Sequence, residues 1–269
     1  MKLLRHRQLF GAVIFVAMLA AGTTHAQDAA LKLGVGASFS TGDYGIGQDT
    51  DIWYVPLTAS FETGRWNLGL TVPYISITGT GDVVGGTGAP VVTKKEKKKT
   101  PGGTADRTTQ SGLGDVVGSV GYALLSGNDD MPLVELTGKV KFPTASESQN
   151  LGTGEFDYTA QLDLSQTFGK VTPFATLGYR IMGDPEGVDL DNIFLVSVGA
   201  VSEFSDHLSA GLVLDYGQAT TSNADDAVEM SPFVSWSLND RLALDIYGLF
   251  GFSDGSPDSG GGFQLTVTF

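Results

Sequence analysis

The feature that most constrains this chain is an alternation of apolar and polar residues with a period of two. Residues 208–217 show it clearly, because Leu212 and Leu214 alternate there with Val213 and Asp215. A period of two puts successive side chains on opposite faces of a strand. No segment keeps a 3.6-residue period, and no apolar run beyond the first residues reaches the ~18 that suggest a membrane helix. The sequence therefore predicts an all-β fold.

Twelve segments carry an apolar face of this kind. By their first and last apolar-face residues they are 31–39, 53–61, 66–74, 116–124, 134–142, 156–168, 171–181, 194–200, 208–216, 228–238, 242–252 and 263–269. The eighth segment is apolar on both faces, and we assign Phe194, Val196, Val198 and Ala200 to the outward face. The fourth segment alternates less regularly than the others.

The connections between these segments alternate between short and long. The five short ones lie at 62–65, 126–130, 169–170, 205–207 and 239–240, and the six long ones at 41–50, 78–112, 144–154, 183–191, 217–227 and 253–260. Outer-membrane barrels have short periplasmic turns and longer extracellular loops. Five turns and six loops require twelve strands with both chain ends on the periplasmic side. The prediction is a closed antiparallel transmembrane β-barrel of twelve strands over residues 27–269, with a long extracellular loop at 78–112.

A secreted, soluble β-sandwich would alternate in the same way, so the aromatic residues decide between the two folds. On the outward faces they fall at two heights. Those near the short turns are Phe61, Trp66, Tyr122, Phe168, Phe204, Trp236 and Phe269, and those near the long loops are Phe39, Trp53, Tyr74, Phe142, Phe156, Tyr179, Phe194, Tyr216 and Phe252. Two such girdles are typical of barrels in lipid. We therefore expect outer-membrane lipid and lipopolysaccharide around the barrel, and recognition of Phe269 by the barrel insertion machinery.

Residues 1–26 have the pattern of a cleaved signal peptide. Lys2, Arg5 and Arg7 precede an apolar stretch, and Ala26 is a small residue at the expected cleavage site before Gln27. The pattern predicts export, and with the barrel it predicts the cell outer membrane as the location.

Composition excludes several classes of function. The net charge of −14 disfavours nucleic-acid binding, which depends on neutralising phosphates. The chain has no cysteine, so disulfides and thiolate metal sites are excluded. Of its three histidines, His6 and His25 leave with the signal peptide and His207 lies in a predicted periplasmic turn. A hydrolase of the outer leaflet would have no histidine base there, so we predict no enzyme activity, no cofactor and no metal.

Three motifs resemble one protein family. They are Gly112-Leu113-Gly114-Asp115-Val116, Lys139-Val140-Lys141-Phe142-Pro143-Thr144 and Leu151-Gly152-Thr153-Gly154. In them the chain resembles the outer-membrane channel family of the phenol meta-cleavage (MetA) degradation pathway. The resemblance implies a barrel that passes small, often hydrophobic compounds, and it carries over no catalytic residue. The lysine-rich run 94–99 in the second loop is not part of the resemblance. It is interpreted as a solvated loop, or as a contact for phosphates.

Polar side chains on the inward faces are candidates for lining a pore. They are Lys32, Asp115, Glu135, Lys139, Lys141, Asp157, Gln161, Asp163, Arg180, Asp215, Glu229 and Asp245. The basic ladder of residues 139 and 141 stands beside an acidic ladder on the next strand. The two ladders form either a transverse field across a pore or a closed zipper of salt bridges, and the sequence leaves both open.

Pro56 and Pro73 lie on neighbouring predicted strands, and each removes a backbone donor. They mark either a lateral seam for hydrophobic substrate or a tolerated bulge. Taken together, these observations predict a passive channel for small compounds, including hydrophobic or aromatic ones. The alternative is a non-transporting structural or adhesive barrel that acts through its loops.

Overall fold

The structure is a computed structural model of the chain. It describes residues 29–81, 83–85, 91–92, 106–128, 130–222 and 224–269, together with two short paired segments, Leu9–Phe10 and Val16–Ala17. The rest of the predicted signal peptide and the lysine run 94–99 lie outside the described residues, so both remain predictions. In the part of the chain that is described, no helix is long and apolar enough to cross a membrane.

The fold is built almost entirely from antiparallel strands. They are β1 Ala30–Gly42, β2 Thr50–Thr63, β3 Trp66–Gly79, β4 Thr108–Leu113, β5 Val116–Ser126, β6 Leu133–Phe142, β7 Asp157–Ser165, β8 Val171–Ile181, β9 Ile193–Ser205, β10 Leu208–Gly217, β11 Ala227–Ser237, β12 Leu242–Gly251 and β13 Ser259–Thr268. A short 3₁₀ helix, Glu147–Gln149, lies between β6 and β7. Val83–Val84 and Val91–Val92 pair with each other in the connection between β3 and β4.

The sheet closes on itself because the last strand pairs with the first. Leu265 of β13 stands opposite Val35 of β1, and every other strand pairs with its neighbours in chain order. Closure leaves no sheet edge, so backbone groups are satisfied within the wall, as a hydrocarbon environment demands. The strands end alternately at short turns and at long loops, and we call the two rims of the barrel the turn end and the loop end.

The fourth strand of the barrel is broken into two segments. β3 pairs with β4 at the loop end and with β5 at the turn end, so β4 and β5 together count as one strand and the barrel has twelve. This confirms the predicted strand number and fold. The second loop is shorter than the predicted 78–112, since β3 continues to Gly79 and β4 begins at Thr108. The polar sequence of β4 has no apolar face by which alternation could reveal it.

Exposure follows the predicted alternation. Phe194 and Val198 of β9 are 56% and 47% exposed, whereas Ile193 and Leu195, on the opposite face of the strand, are buried. The outward frame assigned to this doubly apolar strand is therefore correct. Large apolar side chains cover the outside of the barrel, and most inward positions are polar, which is the reverse of a soluble β-sandwich.

Outward aromatic residues touch across strands at both rims. The ring centroids of Trp66 and Tyr122 are 4.8 Å apart at the turn end, and those of Tyr179 and Phe194 are 4.8 Å apart at the loop end. Phe269 closes the last strand by donating its N–H to the Leu31 carbonyl at 2.8 Å. Its ring is 65% exposed and stands in the turn-end girdle.

Lipid contact at mid-wall can be tested on Leu177, which is 51% exposed and paired in register with Leu162 and Val196. Leu177→Arg should lower the free energy of unfolding in phospholipid vesicles by about 2–4 kcal/mol, the cost of a cation near the bilayer midplane. Urea titration of the refolded protein measures it, with Leu177→Ala as the control. Equal costs for Arg and Ala would show that this face is not in hydrocarbon.

Candidate functional site

The structure places all twelve predicted lining residues on the inner face of the barrel. Nine are almost fully buried there: Asp115, Glu135, Lys141, Asp157, Gln161, Asp163, Asp215, Glu229 and Asp245. Lys139 and Arg180 border an internal cavity, and Lys32 borders a second one nearer the turn end. Side chains alternate between the two faces of each strand, and these residues occupy the inner face because a charge on the lipid side would be costly.

The basic and acidic ladders on β6 and β7 are joined by hydrogen bonds. Lys139 Nζ donates to Gln161 Oε1 at 2.6 Å. The Gln161 amide donates to both oxygens of Asp163, at 2.7 and 2.8 Å, and the Thr176 hydroxyl of β8 donates to the same carboxylate at 2.7 Å. Of the two arrangements that the sequence left open, the geometry on this wall is the zipper.

Lys141 is the centre of a second, more deeply buried network. Its Nζ lies 2.9 Å from Asp157 Oδ2 and 3.5 Å from Asp115 Oδ2, and it donates to Thr153 Oγ1 at 2.8 Å. The three charged side chains are only 3–4% exposed. Burying ions is costly unless every donor and acceptor is satisfied. Asp157 Oδ2 and Thr153 Oγ1 lie within hydrogen-bond distance of the ammonium, whereas Asp115 Oδ2 has no hydrogen-bond partner and is compensated only by the nearby positive charge.

The connection between β6 and β7, residues 143–156, folds into the barrel, and we call it the inner loop. Its Ala145 N–H donates to Asp115 Oδ1 at 3.0 Å. The Thr144 hydroxyl donates to the Gly114 carbonyl and accepts the Val116 N–H, both at 2.9 Å. These bonds satisfy backbone groups at the break in the fourth strand, so the break serves as the dock for the inner loop.

Close packing at this dock explains one of the glycines in the motifs. A Cβ on Gly152 would lie 2.7 Å from the Ala145 Cβ and 2.8 Å from Asp115 Oδ2, so no larger residue fits between them. The three motifs that carry the family resemblance, 112–116, 139–144 and 151–154, therefore meet in space. Sequence analysis identified each motif separately. It did not predict that the motifs touch, because strand pairing and the folding of the loop bring them together.

A buried apolar cluster lies at the loop end of the lumen, and we call it the apolar cap. It contains inward residues from the loop end of the strands together with loop residues: Tyr44, Ile52, Ile75, Ile77, Val83, Ala145 and Leu151. Leu151 of the inner loop is 1% exposed. Sequence analysis missed the cap. Its signal was the three isoleucines, which occupy inward positions where a water-filled lumen would have polar residues.

Two internal cavities lie below the cap. The larger measures about 80 Å³ and is bordered by residues such as Thr58, Thr137 and Gln264, and the smaller measures about 30 Å³. A cavity of roughly 150 Å³ is needed to hold a benzene molecule in a protein interior. Neither of these two cavities accommodates an aromatic solute without movement of the surrounding groups.

The two predicted seam residues are directly opposed. Pro56 of β2 is the register partner of Pro73 of β3, so two backbone donors are missing at one height. On its other side, the Pro73 carbonyl accepts the Gly114 N–H at 2.8 Å, at the break between β4 and β5. Three neighbouring strands are thus irregular at the same level of the wall.

Candidates for enzyme chemistry do not gather at one place. His207 is exposed in the turn between β9 and β10, where its N–H donates to Ser205 Oγ. Across the described ranges, no group of three or more His, Cys, Asp or Glu side chains could hold a metal ion.

Comparison with known proteins gives one family and several related folds. The family model described as "Putative MetA-pathway of phenol degradation" matches residues 64–269, more than half of the chain. The sequence matches no curated protein.

Among solved structures, the NanC porin is 14% identical with a TM-score of 0.54, and the match covers 88% of this chain and 98% of that one. This likeness shows a shared barrel fold. The KdgM porin (12% identical, TM-score 0.45, 88% and 98% covered) and the P. putida toluene transporter TodX (10%, 0.42, 89% and 88%) are more distant.

The dock of the inner loop can be tested by removing its cation. Lys141→Met leaves two buried carboxylates without their partner, which typically costs about 3–5 kcal/mol. We expect faster cleavage of the inner loop at Glu147 and Glu155 by a glutamate-specific protease, followed by mass spectrometry. The control is Lys32→Met, which removes a partly exposed pair with Glu62 at the turn end. Unchanged protection in Lys141→Met would show that the loop is held by other contacts.

Proposed function

The chain belongs to the family described by the matching model for the MetA pathway of phenol degradation, and from this premise we propose that it is a passive outer-membrane channel for small hydrophobic or aromatic compounds. The barrel fold and the family membership support the channel role and the outer-membrane location. The preference for aromatic compounds is supported by apolar side chains on the inner face of the barrel.

The observation that carries the proposal is a buried apolar cluster on the inner face of the barrel. Phe174, Val213, Phe233 and Tyr247, from β8, β10, β11 and β12, form a buried cluster on the inner face. The zipper of polar groups lies on β6 and β7, with Thr176 of β8 at its edge. An inner wall that carries both an apolar cluster and hydrogen-bonding groups matches a solute that has an aromatic ring and a polar substituent.

Passage requires the apolar cap to open. The cap is held by strand residues, which are fixed in the wall, and by loop residues such as Leu151 and Tyr44. Since the inner loop is docked by polar contacts that can be broken and re-formed, we propose that it is the moving part. Opening it joins the cavities below to the outside.

The wall irregularity at Pro56 and Pro73 supports a second part of the proposal, a lateral exit for hydrophobic substrate. A wall with fewer backbone hydrogen bonds at one level separates there at lower cost. The surroundings we propose are outer-membrane lipid and lipopolysaccharide. The exposed Phe269 ring at the end of β13 is in a position to be read by the insertion machinery.

The channel role is tested by current through single molecules in a planar bilayer. We expect step-like openings that are rare in the native protein and more frequent in Leu151→Ser, because a hydroxyl weakens the apolar cap. Leu136→Ser is the matched control, since Leu136 is 49% exposed on the outer face and does not touch the lumen. Phenol should reduce the open current in a concentration-dependent way, whereas glycerol should not.

The outcomes of this experiment distinguish the channel role from the preference for aromatic compounds. Openings that phenol leaves unchanged would contradict the aromatic preference alone. Correctly folded protein that stays silent in all three forms would contradict the channel role and favour the structural or adhesive alternative.

The lateral exit has its own test. The double variant Pro56→Val/Pro73→Val restores two backbone donors, and it should slow uptake of a hydrophobic aromatic by cells while ion current stays unchanged. Pro173→Val is the control, because that proline of β8 pairs with Ala200 in another part of the wall. Uptake equal to that of the native protein in the double variant would show that the prolines are a tolerated bulge.

A further inference from the structure

Inward glycines near the turn end meet different surroundings in two parts of the barrel wall. In the part from β8 to β12, two of them are covered by aromatic rings. A Cβ on Gly199 would lie 2.5 Å from the Phe174 ring, and a Cβ on Gly211 would collide with the Phe233 ring. Both rings belong to the buried cluster on the inner face of the barrel. We call this part the packed wall, because large side chains cover its inner face at this height.

On β1 and β3 the inward glycines meet small polar side chains instead. The nearest atoms to a Cβ on Gly34 would include the hydroxyls of Thr58 and Thr266. A Cβ on Gly69 would touch Ser119 Oγ. These hydroxyl groups border the cavity of about 80 Å³. The cavity therefore lies off-centre, against the part of the wall from β13 through β1 to β7, which we call the cavity wall.

Exposure changes stepwise along the cavity wall. On β3, the inward residues Asn67 and Gly69 are partly exposed. Thr71, further from the turn end, is 6% exposed, and Pro73 beyond it is fully buried. On β8 of the packed wall, by contrast, the first inward residue, Thr172, is already buried. This decrease along β3 is what a recess that opens at the turn end produces.

The lining of the recess can form hydrogen bonds with an uncharged solute. Three side-chain amides border it, together with the hydroxyls of Thr58, Ser60, Thr71, Ser119, Thr137 and Thr266. Thr266 Oγ1 is buried and has no hydrogen-bond partner among the described residues. Buried polar groups are normally hydrogen-bonded, so this hydroxyl needs a partner from within the recess. At roughly 30 Å³ per water molecule, the volume suffices for about two or three of them.

We propose that water and solute cross the turn-end half of the lumen along the cavity wall, and that Gly69 is the residue that limits the width of the solute. Gly69 stands opposite Ser60, one inward position nearer the turn end than the pair of Thr58 and Thr71. The atom nearest to a side chain at this position is Ser119 Oγ, which can rotate away. A larger residue would therefore narrow the recess without breaking the wall. The proposal rests on the proposed channel role and adds the path and the residue that sets its width.

The path can be tested by labelling, because the chain has no cysteine and a single introduced thiol is unique. In the refolded protein, Thr58→Cys should react with methyl methanethiosulfonate. Val213→Cys, in the packed wall, should lose this reaction unless the protein is unfolded in urea. Adding Gly69→Val to Thr58→Cys should slow the labelling, as followed by mass spectrometry. Gly138→Val is the matched control, because Gly138 is exposed on the outer face of β6 with nothing within 4 Å of its Cβ position.

Two results of the labelling would overturn the proposal: a Thr58→Cys thiol that stays unlabelled in folded protein, or one that is labelled equally fast with and without Gly69→Val. Labelling requires no current, so these results are independent of whether the channel role holds. In single-channel recordings of Leu151→Ser, adding Gly69→Val should lower the open current and adding Gly138→Val should not. An open current that Gly69→Val leaves unchanged would contradict its role in setting the width.

Discussion

The arrangement of the lumen depends on one buried ammonium group. Lys141 compensates Asp115 at the break in the fourth strand and Asp157 at the start of β7, and it also holds Thr153 of the inner loop. Asp115 in turn accepts the Ala145 N–H near the start of that loop, so charge compensation and loop position are one interaction. The apolar cap follows from it, because Ala145 and Leu151 reach the cap only when the loop is docked.

The barrel itself was predictable because its signal is local. Alternation, turn lengths and outward aromatic residues can each be read from a few neighbouring residues, and they agree on twelve strands. β4 was missed because Thr108–Leu113 is polar and extends a strand without adding an apolar face. The inner loop was missed for a different reason: its position depends on contacts between residues about thirty positions apart, such as Thr144 with Gly114.

The candidate site was predictable in position but not in pairing. The alternation of side chains along each strand was enough to place twelve polar side chains inside the barrel. Which of them pair with each other depends on the register between strands and on the side-chain rotamers. Gln161 shows this, since it links Lys139 to Asp163 and thereby selects the zipper from the two arrangements that the sequence left open. Tyr44 lay beyond prediction, because a loop residue reaches the lumen only through a backbone conformation that its sequence does not favour.

The unequal length of the strands gives the barrel a direction within the plane of the membrane. β2 and β3 have 14 residues each and β4 prolongs the fourth strand, whereas β7 has 9. The surplus is at the loop end, where Thr78 and Thr109 share a hydrogen bond on a polar outer surface. At about 3.3 Å per residue, a surplus of several residues forms a collar on one flank only. On that flank the wall therefore reaches further past the rim than it does at β7.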